Sequence, residues 1–227
     1  MHSSPQHAVA SMDDAKIARA ALLDDEKQMT RALDALAARR RRLPWVKVSK
    51  SYSFTGVNGA ATLDDLFAWR RQLIIYHHML RPQDPAPCPG CCMFTDNIGE
   101  LAHLNARNTS LVIVARAPFD EIAAFRLRMG WSMPWFTTHD DFNADFGVTH
   151  GFGLNVFIEN EGVIYNTYFT SGRGVERLNS VWDFLDITPL GRQELWEDSP
   201  AGTPRTEAYR WWRLHDEYDL PGAADHC

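Results

Sequence analysis

Residues 73–92 read LIIYHHMLRPQDPAPCPGCC. The apolar run at 73–79 has the length and composition of a buried strand, and the prolines in 81–87 predict a loop after it. The motif Cys88-Pro89-Gly90-Cys91 follows that loop and opens a predicted helix over residues 91–105. This part of the chain therefore predicts a buried strand followed by a pair of cysteines at the start of a helix.

The sequence beyond this segment continues the alternation of strands and helices. Residues 111–115 form a second apolar run of the kind found inside parallel sheets, and a helical stripe follows Pro118 and ends at Gly130. Residues 154–158 and 163–169, joined by Asn160-Glu161-Gly162, predict an antiparallel hairpin. The apolar spacing of Leu178, Val181, Trp182 and Leu185 predicts a final helix. We expect an α/β fold.

The two ends of the chain differ from this middle part. Residues 1–12 lack periodicity and predict a flexible tail, whereas residues 13–43 carry apolar side chains on one face of a long helix. We assign residues 46–188 to the α/β domain and 189–227 to a C-terminal extension. Because Trp196, Trp211 and Trp212 need packing partners, we expect the extension to wrap on the domain.

Charge and hydropathy exclude several classes of protein. The 227 residues hold 23 basic and 29 acidic side chains, so the net charge is −6 and a nucleic-acid partner is not expected. No apolar run is long enough to cross a membrane. The first twelve residues do not have the pattern of a secretory signal, which favours a cytoplasmic location.

The cysteines are placed for chemistry rather than for a disulfide framework. Three of the four lie within residues 88–92 and the fourth is Cys227. The free N–H groups and the dipole at a helix start lower the pKa of a thiol, so Cys88 is predicted to be a thiolate nucleophile. Cys91, one turn later, can resolve a mixed disulfide with a thiol or disulfide substrate. This redox-active disulfide needs no cofactor.

Two alternatives to this redox hypothesis stay open. Cys92 is either a small core residue or a third sulfur ligand, and in the second case Cys88, Cys91 and Cys92 could bind copper or zinc with His77 or Met93. Strand alternation sends His77 and His78 to opposite faces, so at most one of them joins such a site. The third hypothesis is a non-catalytic interaction module that uses the long N-terminal helix as its contact surface.

The residues also resemble a known family. The matching motifs are Leu43-Pro44-Trp45-Val46, Cys88-Pro89-Gly90-Cys91, His103-Leu104-Asn105-Ala106-Arg107, Arg128-Met129-Gly130-Trp131, Asp141-Phe142-Asn143, the run from Leu185 to Arg192, and His215-Asp216-Glu217-Tyr218. From about residue 15 to 218 the chain resembles the DUF899 family of thioredoxin-like proteins. The resemblance implies a three-layer α/β/α fold near the peroxiredoxin branch. It also implies an intracellular thiol–disulfide oxidoreductase, or a thiol peroxidase, with Cys88 and Cys91 as the redox pair.

The long N-terminal helix has no assigned role in that chemistry. It could lie across its own domain or pair with the same helix of a second copy, and the sequence leaves both arrangements open. A homodimer through residues 13–43 is therefore one expected assembly.

Overall fold

The computed structural model describes residues 7–218, so residues 1–6 of the predicted tail, residues 219–227 of the predicted extension and Cys227 lie outside the described residues. The α-helices are α1 (Met12–Arg40), α2 (Pro89–Asp96), α3 (Ala102–Asn105), α4 (Phe119–Arg128), α5 (Phe142–Asp145) and α6 (Ser180–Asp186). The strands are β1 (Val46–Lys47), β2 (Ser53–Gly56), β3 (Gly59–Thr62), β4 (Gln72–His77), β5 (Thr109–Ala115), β6 (Trp135–Thr138), β7 (Gly153–Asn160) and β8 (Val163–Thr170). Three short 3₁₀ helices cover Asp65–Phe67, Gly172–Leu178 and His215–Glu217.

All eight strands form one mixed sheet in the order β1-β8-β7-β4-β5-β6-β2-β3. Strands β4, β5 and β6 run parallel, and β7 lies antiparallel beside β4. The β7–β8 pair is the predicted hairpin. The order of a strand, a helix opened by the cysteine motif, a parallel strand and an antiparallel hairpin confirms the predicted α/β fold.

The sheet separates two apolar cores because neighbouring residues of a strand point to opposite faces. On β4, Tyr76 packs in the core that also holds Ile122 of α4 and the cysteines of α2. Leu73 and Ile75 pack in the other core, which is covered by α5 and the 3₁₀ helix Asp65–Phe67. Helical layers of unequal size therefore lie on both faces of the sheet.

Helix α1 stands largely apart from these cores. Its 29 residues begin after Ser11, whose side chain accepts a hydrogen bond from the Asp14 amide, and none of them is buried. Near its C-terminal end, the Arg40 guanidinium lies 5.3 Å from the centre of the Tyr168 ring. Across residues 7–218, none of the helices combines the length and the apolar character that crossing a bilayer requires.

The described part of the C-terminal extension wraps on the domain, as expected from its tryptophans. Its centre is Glu194, which is only 1% exposed. The Glu194 carboxylate accepts hydrogen bonds from the indole N–H groups of Trp196 (2.6 Å) and Trp211 (3.0 Å) and from the Tyr209 amide (2.9 Å). This carboxylate clasp holds residues 194–211 in a closed loop against the helical face.

Two predicted helix boundaries are wrong. The single helix predicted over residues 91–105 is two helices, because α2 ends where the Asn97 side chain donates to the Met93 carbonyl (2.8 Å). The last helix starts at Ser180 rather than at Leu178, since Asn179 is extended and its side chain caps the Val181 amide (3.1 Å). At the first boundary the asparagine side chain takes the place of the next helical N–H, and at the second it caps an N–H of the first turn that has no partner within the helix.

Candidate active site

Cys88 lies at the N-terminus of α2, immediately after the proline-rich loop. It is the N-cap residue, and its sulfur accepts a hydrogen bond from the Cys91 amide (3.4 Å). Pro89 occupies the first helical position, where the missing N–H group has no intrahelical partner to lose. The Cys88 side chain is partly exposed, so a reactant can reach its sulfur.

This position changes the acidity of the Cys88 thiol. Its pKa falls from an ordinary value of 9.0 to about 6. The largest cause is a hydrogen bond from the Cys91 thiol, and the amides of Cys91 and Gly90 add to it, while burial opposes the shift. At neutral pH most Cys88 side chains are therefore thiolates.

Cys91 has the opposite properties. It is 1% exposed, and its pKa is raised well above the ordinary value, first by its bond to Cys88 and then by burial. The Tyr76 hydroxyl interacts with the Cys91 sulfur and opposes part of this rise. The pair therefore consists of an accessible thiolate and a buried, protonated thiol one turn away.

Cys92 belongs to a different environment. It is fully buried, and burial raises the pKa of its thiol. Its sulfur lies 3.8 Å from Nε2 of His78, a buried ring whose Nδ1 accepts a hydrogen bond from the Leu80 amide (3.0 Å). Accepting at Nδ1 places the ring proton on Nε2, so neutral His78 donates toward Cys92. Cys92 is thus a core thiol with one weak partner.

His77 does not join the cysteines. It lies on the other face of β4, stacked on Phe142 with ring centres 5.5 Å apart. Its Nδ1 donates to the Asn143 side chain (3.0 Å) and its Nε2 accepts from the Asn155 amide group (3.1 Å), so both nitrogens are occupied. Within residues 7–218, no three His, Cys, Asp or Glu side chains are grouped to hold a metal ion.

A cavity of about 330 Å³ opens beside the cysteine pair. Both Cys88 and Cys91 line it, and the wall is mostly apolar, with six aromatic side chains. The aromatic residues are Tyr76, Phe94, Phe152, Trp182, Tyr209 and Trp212. Arg173, Glu176 and Asn179 supply the polar part of the wall. The thiolate therefore faces an apolar chamber rather than open solvent.

Gly90 is the point where the C-terminal extension meets the cysteine motif. A Cβ atom at this position would overlap the six-membered ring of Trp212. Trp212 also packs against Trp182 (5.4 Å between ring centres) and Tyr209 (4.5 Å). Glycine at the third position of the motif thus allows an indole ring to lie directly on the helix start.

The sequence missed most of this cavity. It predicted that Trp212 must pack on the domain, but not that it would cover the cysteine motif. The sequence indicated only that Tyr76 lies in a strand and Phe152 in a loop. Their side chains meet the cysteines through tertiary packing, which sequence spacing does not predict. The one usable signal was the density of tryptophans after residue 189.

Comparison with known proteins gives one family match. The model of a family described as bacterial proteins of unknown function, DUF899, matches residues 4–218. No curated protein matches the sequence.

Several solved structures are similar to parts of the chain. A hypothetical protein of Sinorhizobium meliloti 1021 has a TM-score of 0.43 at 11% identity, over 57% of this chain and 71% of its own. A putative thioredoxin of Neisseria meningitidis has a TM-score of 0.41 at 18% identity, over 63% and 95%. The peroxidoxin BcpB of Mycobacterium tuberculosis has a TM-score of 0.41 at 16% identity, over 61% and 93%. None of these likenesses assigns an activity to this chain.

Proposed function

The chain belongs to the DUF899 family of bacterial proteins, and from that premise and its cysteine geometry we propose that it is a thiol–disulfide oxidoreductase. The observation that carries the proposal is the position of Cys88. Its sulfur caps α2, its pKa is lowered to about 6, and the buried Cys91 thiol lies one turn away. A stabilised thiolate beside a protonated thiol is what disulfide exchange needs.

In the proposed reaction the Cys88 thiolate attacks one sulfur of a disulfide and displaces the other as a thiolate. The Cys91 thiol then loses its proton and attacks the Cys88 sulfur, which releases the second thiol and closes a Cys88–Cys91 disulfide. The substrate gains two electrons and the protein loses two. A dithiol reductant reverses the change in the protein and completes the cycle.

The proposal is tested by thiol counting and intact mass after the reduced protein reacts with 2-hydroxyethyl disulfide. Wild type is expected to lose two thiols without a mass adduct. Cys91→Ser is expected to hold a mercaptoethanol adduct on Cys88, and Cys88→Ser to react on neither residue. Cys92→Ser is the matched control and should behave like wild type. Equal reaction of Cys88→Ser and wild type would overturn the proposal.

A further inference from the structure

We infer that the substrate of the Cys88–Cys91 pair is a small apolar disulfide rather than the disulfide of a folded protein. This inference rests on the oxidoreductase function proposed above, and it specifies which class of disulfide the protein reduces. It follows from three features of the cavity: its size, the chemistry of its wall, and the segment that covers it.

The size fits a small molecule. Cavities that enclose ligands of low molecular weight hold about 300–1,000 Å³, and this one holds about 330 Å³. Cys88 lines the wall, so a disulfide inside the cavity would lie next to the nucleophile. A ring or short alkyl group on each sulfur fits this space better than a loop of polypeptide.

The wall offers little to a peptide backbone. An extended peptide needs partners for its N–H and C=O groups, which cost free energy when they are buried unpaired. The charged and amide side chains of this wall are already paired: Glu176 accepts from both Arg173 and Arg192 at 3.3 Å, and Asn179 caps the Val181 amide. Aromatic side chains together with Met79 and Val175 provide most of the remaining surface, which favours apolar substituents.

The covering segment limits access from outside. Trp212 lies on Gly90 and against Trp182, so a protein surface cannot lie flat on the cysteine motif. In the described part of the chain its indole nitrogen is buried without a hydrogen-bond partner, whereas Trp196 and Trp211 are both bound to Glu194. Trp212 is therefore held by packing, and it lines the cavity together with Cys88.

The electrons balance as in the general reaction. The Cys88 thiolate attacks a substrate sulfur, and the small thiolate that leaves takes a proton from water. The Cys91 thiol gives up its proton and displaces the second small thiol. One disulfide becomes two thiols, the cysteine pair becomes a disulfide, and a dithiol such as dithiothreitol restores the reduced protein.

The test compares two dialkyl disulfides of different polarity and one protein. Reduced full-length protein reacts with dibenzyl disulfide, glutathione disulfide and insulin, and each rate is divided by the rate of the same compound with dithiothreitol. We expect dibenzyl disulfide to be favoured at least about tenfold over both others, since burial of one aromatic ring supplies that factor. Trp212→Ala should remove most of this preference. Trp69→Ala, at a fully exposed ring, is the control and should keep it.

The outcomes separate the two proposals. If glutathione disulfide or insulin reacts as fast as dibenzyl disulfide, or if Trp212→Ala slows all three equally, the substrate class is wrong while the oxidoreductase stands. If wild type reacts no faster than Cys88→Ser with all three compounds, the oxidoreductase itself is wrong. Should Trp212→Ala fail to fold, Val175→Phe adds a larger side chain to the cavity wall and should lower only the dibenzyl rate.

Discussion

At the scale of single residues, the two cysteines of the motif differ in proton affinity although one helical turn separates them. Cys88 keeps a partly exposed sulfur with a lowered pKa, whereas burial and the bond to Cys88 hold the proton on Cys91. The difference comes first from the hydrogen bond between the two thiols, which lowers the pKa of Cys88 and raises that of Cys91. The free amides at the helix start then stabilise the first sulfur, and burial in the apolar core disfavours ionisation of the second.

The first prediction concerns pH. A thiol with a lowered pKa is protonated only below that value, so the alkylation rate of Cys88 by iodoacetamide should rise with pH around a midpoint near 6. The absorbance of the thiolate at 240 nm should follow the same curve. Because the Cys91 thiol is the largest cause of the shift, Cys91→Ala should move the midpoint upward. An unchanged midpoint in that variant would contradict the assigned cause.

The second prediction concerns Gly90. A methyl group there overlaps the Trp212 ring, so Gly90→Ala should displace the ring and lower the free energy of unfolding by about 1–3 kcal/mol. Urea denaturation and tryptophan fluorescence measure the two effects. Gly99→Ala is the matched control, because no atom lies within 4 Å of its added Cβ. Equal stability of the two variants would show that Trp212 does not lie on the motif.

Sequence patterns such as strand alternation correctly predicted the environment of residues that depends only on their neighbours in the sequence. Alternation along the strand correctly separated His77 from His78. The cysteine motif predicted a helix start beside Cys88, although the helix begins at Pro89 rather than at Cys91. The same patterns could not predict that Asn143 and Asn155 would occupy both nitrogens of His77. That contact depends on how α5 and β7 meet in space, which no local spacing encodes.

At the scale of elements, the C-terminal extension depends on one buried carboxylate. Glu194 accepts hydrogen bonds from two indole N–H groups and one backbone amide. These bonds hold together a segment that is too short to form an apolar core of its own. The sequence predicted that the tryptophans pack, from their size alone. It did not predict Glu194 as their partner, because buried glutamates are rare and carry no periodic signal.

The third prediction tests the clasp. Glu194→Ala leaves three donors without their acceptor and should cost about 2 kcal/mol or more in unfolding free energy. Thermal unfolding followed by near-ultraviolet circular dichroism should show a lower midpoint and a weaker tryptophan signal. Glu207→Ala, at an exposed glutamate, serves as the comparison. If the two variants unfold at the same temperature, Glu194 does not organise the extension.

At the scale of the whole molecule, α1 stands out because it buries none of its residues against the α/β domain. A helix of this length with no buried residue gains little from tertiary packing. Leu22 and Met29, on its predicted apolar face, are 59% and 57% exposed. The homodimer that the sequence predicts through this helix stays a prediction.

The fourth prediction measures that assembly. If α1 pairs with its copy, sedimentation equilibrium should give twice the mass of the chain, and Leu22→Glu should return the mass to that of a monomer. Ile17→Glu changes an exposed side chain outside the predicted face and should leave the dimer intact. A monomer at every concentration for the unaltered protein would exclude the dimer.

Trp212 lies far beyond the cysteine motif in the sequence, and this separation determines when the motif is covered during synthesis. Ribosomes release the cysteine motif long before they add the segment that covers it, and domains begin to fold during this interval. A growing chain therefore carries Cys88 without the Trp212 ring until the C-terminal extension has been added. Under the proposed function, a polypeptide that terminates shortly before Trp212 would hold Cys88 without the ring that selects apolar substrates.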